Sequence, residues 1–81
     1  MQVFDLDHIF KYHAPKGDDL EKYQKIRDAG KAFAEVVLQN TPTGADQSAT
    51  IRCIREAVMT ANASIALEGR LTKDDSPSDL L

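Results

Sequence analysis

The stretch FKYHAPKGDD, residues 10 to 19, gathers a tyrosine, a histidine, a proline, a lysine and a glycine in one short connection between segments that read as helix. Pro15 forces Ala14 out of helical conformation, and Gly17 permits a sharp turn before Asp18. A plain linker explains these residues. Tyr12 and His13 offer more. A tyrosine ring can cap an apolar core, or it can act as a platform for a nucleobase, a contact worth ~1–3 kcal/mol per stacked base. A loop histidine can bond a backbone carbonyl or donate to a phosphate. The connection is no Walker-type phosphate loop, which needs a longer glycine-rich run ending in Gly-Lys-Ser or Gly-Lys-Thr. Asp18 and Asp19 also occupy the helix N-terminus that an anion would want.

Cations come next. Lys25, Arg27 and Lys31 lie on the first long helical segment. Arg27 falls at the edge of that segment's apolar seam, so its stem can lie on apolar surface while the guanidinium reaches along the rim. An anion at an interface edge and a salt bridge to another helix are both open to it. Lys25 and Lys31 point away from the seam, as solvated charges do. On the second long segment Arg55 and Asn62 sit seven apart on one flank, with Met59 between them. Arginine can fork to phosphate and asparagine can pair with an adenine edge, or the two can fix the register of an interface. Arg52 and Arg70 read as exposed.

Catalytic and metal signals are poor, and no catalytic residue, cofactor or metal ligand is expected. Cys53 is mid-helix with no histidine partner and reads as core. His8 and His13 flank no recurrent metal motif. Glu35, Glu56 and Glu68 are scattered, unlike the clustered acids with which all-helical nucleotide pyrophosphatases hold magnesium.

The elements that must position these residues are helical. No segment alternates apolar and polar residues over five or more positions with β-branched filling. A short helix is expected over Asp5 to Lys11, with Phe4, Leu6, Ile9 and Phe10 on its apolar side. It is too short to stand alone and must dock on the rest of the chain or on another subunit. The first long helix starts at Asp18, where Asp18 and Glu21 have capping-box spacing, and its seam runs Tyr23, Ile26, Gly30, Phe33, Val37. A helix-interior glycine costs roughly 1 kcal/mol against alanine, so Gly30 predicts a close helix crossing. NTPTG, residues 40 to 44, ends this helix. The second long helix starts near Thr43 to Asp46, with a seam at Ile51, Ile54, Val58, Ala61 and Ile65. A weaker stripe of small residues, Cys53, Ala57, Thr60, Ser64 and Leu67, offers a second face to a neighbouring subunit. The expected fold class is all-α: a short N-terminal helix, then a long antiparallel helical hairpin, assembling as a homo-oligomeric helical bundle. Residues 1–71 form the domain and 72–81 a disordered acidic tail.

Size supports assembly. A chain of 81 residues buries only roughly 60–65% of its unfolded surface. One cysteine allows no internal disulfide, so packing between copies is the available staple. The net charge is −3, with −2 of it in the last ten residues; long nucleic acid is excluded as a partner, since that needs a basic surface. The N-terminus carries no secretory signal, no stretch approaches the ~20 apolar residues of a membrane span, and an unpaired cysteine suits a reducing cytoplasm.

The blocks YHAPKGD, KIRDAGKAFAE and AVMTANASIA, in this order and spacing, resemble the small phage-encoded anti-CBASS sponges; the resemblance covers residues 5 to 70. It implies a compact helical oligomer, a hexamer, acting in the host bacterial cytoplasm. Cyclic dinucleotides of the 3′,3′-cyclic GMP–AMP type, and in some members cyclic trinucleotides, are held between subunits and sequestered without cleavage. It implies that Tyr12 contacts a base and that the basic residue matched by Arg27 contacts the ligand, with Lys25 and Lys31 nearby. A second pocket, for the trinucleotide, lies toward the hairpin's end. Some relatives carry arginine there just after the ANASIA-like block, where this chain has Leu67, with Arg70 as the next cation. The ligand-binding residues expected are therefore Tyr12, His13, Pro15, Lys25, Arg27, Lys31, Arg55, Asn62 and Arg70. A helical adaptor that binds a host protein is the alternative from another class.

Overall fold

The computed structural model describes residues 3–73. They form three helices: α1, Leu6–Phe10; α2, Asp19–Asn40; and α3, Ala45–Ala66. Extended pairing among the described residues is limited to an antiparallel bridge between Phe4 and Thr72. The all-α hairpin expected from the sequence is the architecture observed.

α2 and α3 have 22 residues each, about 33 Å at 1.5 Å per residue, and pack against each other across the turn at 41–44. The two expected seams meet. Val37 and Ile54 are the buried apolar residues among those described, and Ile26, Ile51, Val58, Ala61 and Ile65 are half-buried around them. A Cβ placed on Gly30 would lie 2.5 Å from Val58 Cγ2, so the glycine permits the close crossing. Phe33 departs from the seam: it is exposed, while Ala34 beside it is half-covered. A straight helix drifts away from a 3.5-residue repeat, and the smaller residue takes the inward place. Cys53, expected in the core, is exposed because it lines the open groove beside the seam.

Local chemistry sets the ends. Asp18 is the N-cap of α2, but its side chain makes no cap hydrogen bond. The expected capping box is replaced by two pairs one turn apart, Asp18 with Lys22 at 3.2 Å and Glu21 with Lys25 at 3.6 Å. The hydrogen bond from Lys22 holds the Asp18 carboxyl below its usual range. Thr41 Oγ1 closes α2 by donating to the Val37 carbonyl at 2.7 Å, and Gln47 Nε2 reaches back to Thr41 Oγ1 at 3.1 Å. α3 ends in a Schellman closure, with Gly69 N–H donating to Ser64 O at 2.9 Å and Glu68 N–H to Ile65 O at 3.2 Å.

α1 brings no Cα within 8 Å of those of α2 or α3. Instead α1 is tied to the segment that follows α3. Asp5 N–H donates to Leu71 O at 3.0 Å and Lys73 N–H to Val3 O at 2.9 Å. Arg70 Nη1 meets Asp5 Oδ2 at 2.8 Å and donates to Thr72 O at 2.9 Å. Two expectations are corrected here. Arg70 is not an exposed cation but a half-buried one. Thr72 does not begin a disordered tail: it is 3% exposed, fixed by the bridge to Phe4. The remainder of the expected acidic tail, 74–81, lies outside the described residues.

Candidate functional site

The connection between α1 and α2 presents Tyr12 to solvent. Its ring is 83% exposed, so it caps no core within the chain. The backbone that carries it is held on both sides. Next to it, His13 Nε2 donates to the His8 carbonyl at 2.7 Å, and the two imidazoles meet edge to face with centroids 4.8 Å apart. His8 Nε2 in turn donates to Leu67 O at 3.0 Å. Further along, Lys16 Nζ reaches Glu68 Oε1 at 3.1 Å, and Lys16 N–H donates to Asp19 Oδ2 at 2.9 Å. Gly17 turns the chain at φ 53°, and Pro15 is exposed beside it. Of the two roles open to His13, the backbone-carbonyl bond is the one present.

The cations differ in how far they are already engaged. Lys25 is paired with Glu21. Arg70 is paired with Asp5, and its hydrogen bond, together with that from His8 N–H, lowers the Asp5 carboxyl below its usual range. Arg27 is exposed and donates through Nη2 to the neutral Gln24 Oε1 at 3.0 Å. Neither Lys31 nor Arg55 has a carboxylate within salt-bridge distance among the described residues. Asn62 is half-buried, and its Oδ1 is buried with no donor among those residues.

Helix geometry sorts these groups onto one side of the hairpin. Ala29 of α2 and Cys53 of α3 both line an open apolar groove along one side. Each residue advances about 100° around a helix. Arg27 and Lys31 are therefore about 160° from Ala29, and Arg55 and Asn62 about 160–180° from Cys53. The structure thus groups Arg27, Lys31, Arg55 and Asn62 on the side away from that groove. Lys25 falls on the groove side of α2, apart from them, and Arg70 is at the far junction with Asp5.

Neither the groove nor the hollow at the hairpin's end suits a dianionic cyclic nucleotide. The groove holds about 650 Å³, but its one charged lining residue is Asp46. That sign repels phosphate; the small and apolar lining instead suits another protein surface. The hollow at the hairpin's end, between Thr60, Ser64, Leu67 and Arg70, holds about 180 Å³, below the ~300–1,000 Å³ of usual ligand pockets. Among the described residues no group of three His, Cys, Asp or Glu side chains is placed to hold a metal, and no helix is long and apolar enough to cross a membrane.

Sequence reading missed the residues that hold the Tyr12 connection: His8, Lys16 and Glu68. The positional signal was weak. Glu68 lies 52 residues from Lys16, and only the neighbouring Gly69 marked the helix end. No curated protein and no solved structure matches the chain. A family model does match, over residues 2–66, and its description is the Acb2/Tad1 hairpin domain. The matched region contains the blocks YHAPKGD, KIRDAGKAFAE and AVMTANASIA, which carried the resemblance to the anti-CBASS sponges. The chain belongs to the Acb2/Tad1 hairpin domain family.

Proposed function

We propose that this protein is an anti-CBASS sponge. It binds cyclic dinucleotide immune messengers of the 3′,3′-cyclic GMP–AMP type between subunits of a homo-oligomer, a hexamer, and withholds them from their effectors without cleaving them. The observation that carries this reading is Tyr12: a fully presented aromatic ring on a connection fixed by hydrogen bonds on both sides. Family membership points the same way.

The chemistry is that of a two-fold site. A cyclic dinucleotide carries two bases and two phosphates. A two-fold junction supplies two Tyr12 rings and two Arg27 guanidinium groups. Each ring stacks on a base. Each guanidinium forks to a phosphate, exchanging its neutral bond with Gln24 for a charge-assisted pair. Lys31 adds positive charge from one turn further along α2, and Arg55 with Asn62 lies on the same side of the hairpin. His13 and Pro15 shape the connection. No nucleophile or general base is assigned, and the bound messenger leaves unchanged. A cyclic trinucleotide has less support here, because Arg70, the cation at the hairpin's end, already pairs with Asp5.

Isothermal titration with 3′,3′-cyclic GMP–AMP tests the reading. Submicromolar binding that is lost in Tyr12→Ala, with the ligand recovered intact after denaturation, is the expected result. No heat with any cyclic di- or trinucleotide would overturn it and leave a helical adaptor for a host protein. Recovery of linearised ligand would overturn the non-enzymatic part.

A further inference from the structure

Glu68 is the non-glycine residue at positive φ among those described, at φ 55°. It occupies the left-handed position of the Schellman closure of α3, where glycine is strongly favoured because a Cβ there crowds the following carbonyl. Gly69 follows immediately at φ 73°. The helix end would form more favourably with glycine at 68. A residue held in a disfavoured backbone conformation is a reason to ask what its side chain does. The Glu68 carboxylate reaches the connection that precedes α2, 52 residues away in the chain, and accepts from Lys16 Nζ at 3.1 Å. Lys16 lies four positions after Tyr12, in the same connection. On the other side of Tyr12, His8 bonds Leu67 O, the residue before Glu68. The C-terminal cap of α3 thus holds the chain on either side of Tyr12, at His8 of α1 and at Lys16 of the connection.

We infer that Glu68 is a positioning residue: its strained cap conformation aims the carboxylate at Lys16 and so fixes the Tyr12 connection before any ligand arrives. This rests on the proposed role of Tyr12 as a base platform. Both side chains of the pair are largely exposed, 74% and 69%, so the bond adds little to overall stability. Its effect is on the freedom of the connection. Holding a binding loop in its bound form removes an ordering cost from association.

The experiment uses the full chain in a Tyr23→Phe background. The sequence has two tyrosines, so Tyr12 becomes the single tyrosine fluorophore. Glu68→Gly relieves the cap strain and removes the carboxylate. The expected result is a Tm raised by a few degrees, about 2–6 °C, with lower Tyr12 fluorescence anisotropy and a roughly two- to fivefold weaker affinity for 3′,3′-cyclic GMP–AMP. Glu68→Gln keeps the strain and loses the charge; it lowers anisotropy without raising Tm. The exchanged pair Lys16→Glu with Glu68→Lys restores anisotropy and affinity. A purely structural role for Glu68 would move stability and affinity in the same direction. Unchanged Tyr12 anisotropy in Glu68→Gly overturns the inference. If the parent protein fails to bind the dinucleotide, the sponge reading fails, and the anisotropy arm still decides whether Glu68 fixes the connection.

Discussion

Tyr12 and Asp5 show how differently single residues are used in this chain. Tyr12 is available for its proposed role because it is exposed. In the proposed two-fold site, replacing it with alanine removes two base platforms, at ~1–3 kcal/mol each. Tyr12→Ala is therefore expected to weaken dinucleotide binding on the order of 30-fold or more, with the assembly mass unchanged in sedimentation. Tyr12→Phe keeps the ring and is expected to stay within a few-fold of the parent. Asp5 contributes by being engaged: one oxygen caps α1 at His8 N–H and the other holds Arg70. Its carboxyl is lowered from the ordinary value, so the folded chain binds that proton more weakly than the unfolded chain. The stabilisation is present above the unfolded pKa of about 3.9 and is lost as pH falls through the lower folded value. Asp5→Asn is expected to lower Tm at neutral pH, and the difference from the parent is expected to shrink below about pH 4 in a series of thermal melts. Tyr12 was legible in the sequence as a misfit between helices. Asp5 was not, because its partner Arg70 lies 65 residues away and no local pattern links them.

At the scale of elements, periodicity and punctuation carried most of the fold. The end of α2 at Asn40 and the start of α3 at Ala45 fall where NTPTG placed them. Gly30 was legible as a crossing because a glycine in a strong helix needs a reason. Its crowding sets a prediction. Gly30→Ala gains roughly 1 kcal/mol in helix propensity, but its methyl would meet Val58 Cγ2 at 2.5 Å. The neighbour is β-branched and stiff, so the backbones must part. A net loss of about 1–2 kcal/mol is expected from overpacking, measured by urea denaturation. Gly30→Ala combined with Val58→Ala is expected to recover part of it, since the clash goes with the Val58 methyl. Capping was read less well. Asp18 and Glu21 have the spacing of a capping box, yet each faces a lysine one turn on, and those pairs prevail. The bridge between Phe4 and Thr72 had no sequence signal, since it joins single residues from opposite ends of the chain.

The whole molecule is short of core. Val37 and Ile54 alone reach the buried class among apolar residues described, while Phe10, Leu20, Phe33 and Met59 are all more than half exposed. Such a surface is costly for an isolated chain, which supports the proposed assembly. The groove along Ala29, Phe33, Cys53 and Ala57 faces away from Arg27 and Lys31, so a packing face and a ligand face can coexist on one hairpin. Ala57→Arg places a long cation in the groove without touching the cation-bearing side. It is expected to dissociate the assembly, read as a fall in mass by light scattering, and to abolish dinucleotide binding with it. Ligand loss without a change in mass would contradict that separation of faces. Length and cysteine count prompt the proposal of assembly; the side on which copies would meet was not legible, because periodicity marks a face as apolar without saying what covers it.

Native mass spectrometry of the full chain, with and without 3′,3′-cyclic GMP–AMP, decides between a shared pocket and a private one. The expected spectrum is a homo-oligomer that takes up one intact dinucleotide for every two subunits, with uptake lost in Tyr12→Ala and in Arg27→Ala. A monomer that captures the dinucleotide tightly, or an oligomer that stays empty in its presence, would contradict a site built at the junction between copies.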